Sequence, residues 1–166
     1  MVETSLNPDK RGAIGEAIVF GGRRPPRPVS NAVEDFAKTE YKIAEEVPIK
    51  TSTCGKPYLR LITEDGKELT TRPDGLIKAE WVPETRKDEI DYGPRGNLTR
   101  KSRHELRDEE ARFPIEVKTG EYAELERDQS EVLRGVSESQ SNVHPIVIEI
   151  GIGGLPESYE IELSFL

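Results

Sequence analysis

Two short segments of the chain alternate between apolar and polar residues as β-strands do. One surrounds Pro73-Asp74-Gly75 and the other surrounds Glu116-Val117-Lys118. Side chains two positions apart on a strand point to the same face, so Glu116 and Lys118 are predicted to project together while Val117 enters the opposite layer. The pattern therefore predicts that two carboxylates and one ammonium group meet at one place on a sheet.

Helical patterns precede these strands in the chain. Asn7-Pro8 predicts a helix start, because Asn can accept from free backbone amides and Pro is tolerated at the first helical position. Gly21-Gly22 is predicted to end this helix. A second helix is predicted over residues 31–46, beginning with a capping box of Asn31 and Glu34. Its apolar face contains Val33, Phe36, Ala37 and Tyr41.

A hairpin, a further helix and three other strands account for much of the rest of the chain. The hairpin is predicted to have strands at residues 58–63 and 68–81 around a turn at residues 64–67, with Asp74 inside its second strand. The later elements are a strand at 113–118, a helix at 121–137 and strands at 143–150 and 159–165. The helix has an apolar face of Tyr122, Leu125, Val132, Leu133 and Val136, and Gln129 falls on the same face.

Two segments are predicted to lie outside the core. Residues 83–112 are dense in both charge signs, which is typical of an inserted loop or a partly disordered excursion, with a short helix at 104–111. Residues 23–28 read Arg-Arg-Pro-Pro-Arg-Pro, which predicts an extended basic connector. Two interpretations stay open for each segment. Residues 83–112 can be a solvated insertion or a flap over nucleic acid, and residues 23–28 can be a simple linker or a phosphate-contacting loop.

The composition fits one domain over residues 1–166. Such a length buries about two-thirds of the unfolded surface. Hydrophobic and charged residues each make up 34% of the chain, and no apolar run approaches the roughly 20 residues that span a bilayer. The N-terminus lacks a signal-peptide pattern, and one Cys with two His cannot build an ordinary structural zinc site. We therefore expect a soluble, cytoplasmic protein.

The net charge of −8 argues against a protein that coats nucleic acid generally. The charges are unevenly distributed, since residues 10–27 hold five basic residues against the single acid Glu16, and no Lys or Arg follows Arg134. This distribution predicts a basic side and an acidic side of the molecule.

The chemistry expected of the two motif segments is phosphodiester hydrolysis. Two close carboxylates repel each other unless a cation lies between them, and a hard divalent ion prefers oxygen ligands. A lysine beside such an ion can hold or help to deprotonate a water that attacks phosphorus. Two plainer alternatives exist: Asp74 can be an ordinary turn acid, and Glu116 with Lys118 an exposed ion pair worth under about 1 kcal/mol.

In these residues the chain resembles the PD-(D/E)XK nuclease superfamily. Pro73-Asp74 followed by Glu116-Val117-Lys118 matches the core motif, Gly12-Ala13-Ile14-Gly15-Glu16 resembles the acidic N-terminal helix of that family, and Gln129 follows at a suitable distance. The resemblance covers roughly residues 8–150. It implies an α/β fold with a restriction-endonuclease-like core, in which a mixed central sheet is flanked by helices in αβββαβ order.

The resemblance also implies a role for each candidate residue. Asp74 and Glu116 would bind Mg²⁺, with Mn²⁺ able to substitute, and the main-chain carbonyl of Val117 would be a third ligand. Glu16 would be an outer or additional ligand, and Lys118 would position or activate the water. Gln129 would orient the lysine, the water or a substrate phosphate, although a satisfied amide within the core is the alternative. His104 and His144 fit neither metal ligation nor a catalytic triad.

The function implied is a metal-dependent DNA endonuclease of repair, recombination or defence. A homodimer is expected on family grounds, and a larger complex could supply specificity. Two other interpretations stay open. One is a nuclease-like module that binds nucleic acid or protein without cutting, and the other is a nuclease directed at RNA.

Overall fold

The computed structural model describes residues 7–82, 109–120, 125–155 and 157–166. Within these ranges the chain forms a five-stranded mixed sheet, a separate two-stranded sheet and three helices, consistent with the restriction-endonuclease-like fold that the sequence predicts. The elements in chain order are α1 (Pro8–Phe20), α2 (Arg27–Glu40), β1 (Lys50–Cys54), β2 (Leu59–Ile62), β3 (Glu68–Thr71), β4 (Gly75–Trp81), β5 (Glu109–Thr119), α3 (Arg127–Ser139), β6 (Ile146–Gly151) and β7 (Glu160–Phe165).

Helix α1 has the bounds that its sequence predicts. The side chain of Asn7 accepts a hydrogen bond of 2.9 Å from the backbone N–H of Lys10, which satisfies one of the free amides at the helix start. Gly21 caps the other end, and its N–H donates to the carbonyl of Ala17. The predicted cap and stop are therefore both confirmed.

Helix α2 begins earlier than predicted, at Arg27 rather than at Asn31. Pro26 is its N-cap residue and Pro28 lies in its first turn, where the missing N–H has no intrahelical partner to lose and the fixed φ is already helical. The predicted connector is therefore wrong over Arg27 and Pro28, and the segment between the helices is residues 21–26.

The same helix ends at Glu40, not near Glu46. Lys42 has a φ of 53°, a left-handed conformation that a continuing helix cannot contain. The predicted apolar face is confirmed, because Val33 and Ala37 are buried and Phe36 and Tyr41 are partly buried against the core.

Strand β5 occupies the centre of the five-stranded sheet, whose order is β1-β4-β5-β6-β7. It is antiparallel to β4, from the pair Trp81 and Glu109 to the pair Gly75 and Ile115, and parallel to β6. This ladder makes β5 longer than predicted, so residues 109–112 belong to a strand and not to an insertion or a short helix. The remainder of the predicted insertion, residues 83–108, lies outside the described residues.

The predicted hairpin is confirmed as the pair β2 and β3, but its second strand is shorter than predicted. It ends at Thr71, and β4 begins at Gly75 in the other sheet. Pro73 has no N–H to donate to a ladder, which accounts for the break. Asp74 therefore lies in a bend immediately before β4 and not inside a strand.

Strand β1 has no counterpart among the predictions. It pairs antiparallel with β4 at one edge of the sheet. Its sequence, Lys-Thr-Ser-Thr-Cys, lacks the large apolar residues by which strands are found.

The last three elements differ from prediction mainly at their bounds. Helix α3 begins at Arg127, with Leu125 and Glu126 preceding it, and residues 121–124, including Tyr122, lie outside the described residues. Strand β6 begins at Ile146 instead of residue 143, because Val143 makes only an isolated bridge with Arg112. Strand β7 begins one residue later than predicted.

Two apolar clusters hold the elements together. The larger one lies between the five-stranded sheet and the helices α1 and α2, with Val19, Val33, Ile77, Phe113 and Ile148 among its fully buried members. The smaller one joins α3 to the hairpin through Leu69, Val132, Val136 and Val143. In the part of the chain that the structure describes, no helix is long and apolar enough to cross a membrane.

His144 belongs to an aromatic cluster at one end of the larger core. Its ring lies 4.8 Å from that of Phe36 and 5.6 Å from that of Phe113, and its Nε2 shares a hydrogen bond with the hydroxyl of Tyr41. Burial lowers the pKa of His144, and the carboxylate of Glu40 offsets part of that effect. The residue is therefore part of the packing at this end of the core.

Acidification is expected to destabilise the protein through His144. Since its pKa is lowered in the folded state, the unfolded chain binds the proton more readily, and stability falls as the pH drops below the ordinary value of 6.5. Denaturant unfolding on both sides of that pH should show a smaller pH dependence in His144→Phe. His104→Gln, which removes the other histidine, is the control, and an equal reduction in both variants would contradict the assignment.

Candidate active site

The pairing of β4 with β5 brings Asp74 to Glu116. Gly75 pairs with Ile115 in this antiparallel ladder. Asp74, which precedes Gly75, therefore lies opposite Glu116, which follows Ile115. The Oδ2 atom of Asp74 accepts a hydrogen bond of 2.8 Å from the backbone N–H of Val117. Asp74 is thus held in place by the backbone of the central strand.

Glu116 and Lys118 lie on one face of β5, as predicted. The Lys118 Nζ atom is 3.3 Å from Glu116 Oε1, and the two side chains are only 18% and 6% exposed. A surface ion pair would be far more accessible. The alternative of a solvent-exposed salt bridge is therefore wrong.

Gln129 reaches this pair from the first turn of α3. Its Nε2 donates to Glu116 Oε1 at 3.2 Å, and its Oε1 accepts from the backbone N–H of Glu126 at 3.2 Å. The second bond is half of a capping box that closes the helix start. One amide therefore caps a helix and orients a buried carboxylate, so its partners include the predicted site and not the core alone.

Glu16 approaches Asp74 from α1. Their carboxyl groups lie within hydrogen-bonding reach of each other, and Lys56 Nζ is 3.8 Å from Glu16 Oε2. Lys56 and Asp74 both line an open pocket of about 410 Å³ beside α1. Lys56 was missed by the sequence analysis, because its only signal is a Gly-Lys-Pro connection between two strands.

The acidic groups carry more negative charge than their neighbours neutralise. Burial and the Asp74 carboxylate raise the pKa of Glu116, while Lys118 and Gln129 offset part of that effect. Burial, a hydrogen bond to Asp74 and its charge raise the pKa of Glu16, and Lys56 opposes them. A cation or a proton between these carboxylates would be stabilising.

The donor chemistry suits a hard divalent cation. Asp74, Glu116 and the main-chain carbonyl of Val117 offer only oxygen atoms, the ligands that Mg²⁺ and Mn²⁺ prefer. Within the described ranges, however, no three or more His, Cys, Asp or Glu side chains are already arranged as a metal site. The two acids are instead held by Lys118, Gln129 and the Val117 N–H.

A close contact between α1 and β5 sets the position of Glu16. A Cβ added at Gly15 would collide with Thr119 Oγ1 and would lie 3.1 Å from Val117 Cγ1. Thr119 is buried, and its hydroxyl has no hydrogen-bond partner among the described residues. Only a glycine allows the helix to lie this near the strand, which places the following residue beside Asp74.

The sequence of the chain matches a known protein family. A family model described as a PD-(D/E)XK nuclease superfamily domain matches residues 9–166. The chain belongs to the PD-(D/E)XK nuclease superfamily. No curated protein and no solved structure matches it significantly.

The superfamily is one of nucleases, and PD-(D/E)XK nucleases generally use divalent metals. The match also extends beyond the roughly 8–150 of the resemblance, to the end of β7. The structure brings together the five side chains that the sequence analysis selected: Glu16, Asp74, Glu116, Lys118 and Gln129.

Gly15→Ala is expected to destabilise the fold by about 1–3 kcal/mol, because the added methyl group overpacks the contact with β5. Gly12→Ala is a matched control on the same helix, since its Cβ meets nothing within 4 Å, and its change should be neutral or favourable. Urea denaturation would measure both. Adding Thr119→Ala to Gly15→Ala should recover part of the loss, whereas equal stability of the two single variants would refute the proposed contact.

Proposed function

We propose that the protein is a divalent-metal-dependent nuclease that hydrolyses phosphodiester bonds in DNA. The observation that carries the proposal is that Asp74, in the bend before β4, lies beside the buried Glu116 and the half-buried Lys118 of β5. Burying Glu116 beside a second acid is costly unless the charges are paired or bind a cation. Membership of a nuclease superfamily supports the same conclusion.

Each residue of the site would have a distinct role in hydrolysis. Asp74, Glu116 and the carbonyl of Val117 would hold Mg²⁺ or Mn²⁺, with Glu16 as an additional ligand. Bound there, the cation would stabilise negative charge on the phosphate and favour ionisation of a water. Lys118, whose Nζ lies 3.3 Å from Glu116 Oε1, would orient that water for attack on phosphorus as the bond to the leaving oxygen breaks.

Gln129 would act as a positioning residue. Its amide donates to one oxygen of Glu116 and thereby fixes the direction in which the carboxylate points. Ligand partners of this kind tune a metal site without touching the metal.

We further propose that the enzyme cuts DNA internally, in repair, recombination or defence, and that two copies act together when both strands are cut. The described residues contain one such site per chain, which supports the second statement. An RNA-directed nuclease and a binding module without catalysis are the other outcomes of the following experiment.

Cleavage is expected to require a divalent metal and Lys118. Labelled single-stranded, duplex and branched DNA and RNA would be incubated with Mg²⁺ or Mn²⁺ at low and high salt. Lys118→Ala should lower the rate about 10²- to 10⁴-fold, the usual contribution of a positioned proton-transfer group. Preference for RNA would replace the DNA assignment, and binding without cleavage under every condition would contradict the proposed activity.

The matched control for Lys118 is Lys78→Ala. Lys78 lies on the neighbouring strand β4, and its Nζ is 3.7 Å from a carboxylate oxygen of Glu110. It thus makes a similar ion pair on the same sheet, away from Asp74. Equal losses in the two variants would point to damaged folding instead of lost catalysis.

Gln129→Glu is expected to separate helix capping from positioning. A glutamate at this position still accepts from the Glu126 N–H, but it cannot donate to Glu116 and places a negative charge beside it. We expect kcat to fall about 10- to 100-fold, with a higher metal requirement and a helical circular dichroism signal like that of the wild type. Unchanged kcat and metal dependence would show that Gln129 only caps α3, and Gln140→Glu at the other helix end is the control.

A further inference from the structure

The outward face of the hairpin carries unusually exposed apolar side chains. Leu59 and Leu61 of β2 pack toward the smaller core. Arg60 and Ile62, which alternate with them, therefore point away from that core. Tyr58, just before β2, is 67% exposed and Ile62, at its end, is 61% exposed. Tyr58 is the more accessible, and it belongs to the end of the hairpin nearest to the candidate active site.

Charge is divided between the two ends of the hairpin. The end near the site carries Arg60 in β2 and Arg72 just after β3, and both are exposed. The far end carries the exposed acids Glu64, Asp65 and Glu68 against one cation, Lys67. In a chain with a net charge of −8, a polyanion would be attracted to the first end and repelled from the second.

The basic end is continuous with the site. Tyr58 follows Lys56 by two residues, and Arg72 precedes Asp74 by two. Lys56 and Asp74 line the same open pocket, and Lys56 contacts Glu16. Tyr58 and Arg72 also flank the last ladder pair of the hairpin, which joins Leu59 to Thr71. A strand whose phosphate reaches the pocket would therefore pass over this end.

We propose that Tyr58, Arg60 and Arg72 bind a single-stranded stretch of nucleic acid beside the phosphate that is cut, an inference that rests on the proposed nuclease function. One base stacks on the Tyr58 ring, and the two guanidinium groups contact neighbouring phosphates. An exposed aromatic ring flanked by cations is the arrangement by which proteins hold unpaired strands. A duplex keeps its bases stacked on one another and cannot use the ring in this way. The two arginines beside Tyr58 also favour nucleic acid over a protein partner of apolar character.

Binding measured without metal tests this inference separately from catalysis. Fluorescence anisotropy of a labelled oligothymidine and of a matched duplex, both in EDTA, would give the dissociation constants. Tyr58→Ala should weaken binding of the single strand about 5- to 150-fold, the range for loss of one stacked base, and Tyr58→Trp should retain it. Arg60→Ala and Arg72→Ala should each lower the slope of log K against log salt by about 0.7.

Two control variants change the same residue types elsewhere. Tyr159→Ala removes a ring that is 44% exposed among acidic residues near β7, and Lys67→Ala removes the cation at the far end of the hairpin. Neither should alter strand binding. Unchanged binding in Tyr58→Ala would overturn the proposal and leave the hairpin face to a protein partner. An equal loss for duplex and single strand would overturn the preference for unpaired bases.

The test also distinguishes failure of this inference from failure of the proposed function. Strand binding that depends on Tyr58, with no cleavage in any metal, would support the binding surface and remove the nuclease. Metal-dependent cleavage with binding independent of Tyr58 would support the nuclease and remove the binding surface.

Discussion

The hydrogen bond from the Val117 N–H to Asp74 depends on the register of β4 against β5, and the rest of the site follows from that register. A slip of one residue would turn every side chain of a strand to the other face. Asp74 would then lose its backbone donor, and the side chain opposite it would belong to the apolar layer instead of Glu116. The large apolar cluster prevents such a slip, because Ile77 and Phe113 are fully buried against the helices only in the present register. The same packing that stabilises the sheet thus keeps the two acids together.

The buried charge of the site also shows that this face of the sheet is not built for stability alone. Glu116 is buried and stands beside a second acid, a placement whose cost Lys118 and Gln129 offset only in part. Apolar residues would fill the same volume at lower cost. With a net charge of −8, the protein would attract a polyanion only where cations are concentrated, as Arg60 and Arg72 are at the end of the hairpin near the site.

The parts of the fold that could be predicted are those determined by local chemistry. The cap of α1, the shared face of Glu116 and Lys118 and the hairpin turn each depend on residues near one another in sequence. The start of α2 could not be predicted well, because an Arg- and Pro-rich segment fits a first helical turn as well as an extended connector. Strand β1 is polar and exists because β4 offers it a partner.

The candidate site was predictable as a set of residues but not as a set of contacts. The two motif acids have a sequence signature, whereas the contact of Lys56 with Glu16 joins the segment after β1 to α1 and has none. Similarly, the sequence placed Gln129 on the apolar face of its helix. Its bond to Glu116 depends on where α3 begins, which is set by the capping box with Glu126.

Because Gln129 both caps α3 and donates to Glu116, the position of the Glu116 carboxylate depends on the first turn of α3 remaining folded. Helix ends fray more readily than helix centres, and such openings need far less free energy than global unfolding. When the first turn of α3 opens, Glu116 loses its amide donor although the sheet and its core remain intact. The upper working temperature of the protein would then be set by fraying at residues 126–129, below the temperature at which the chain as a whole melts.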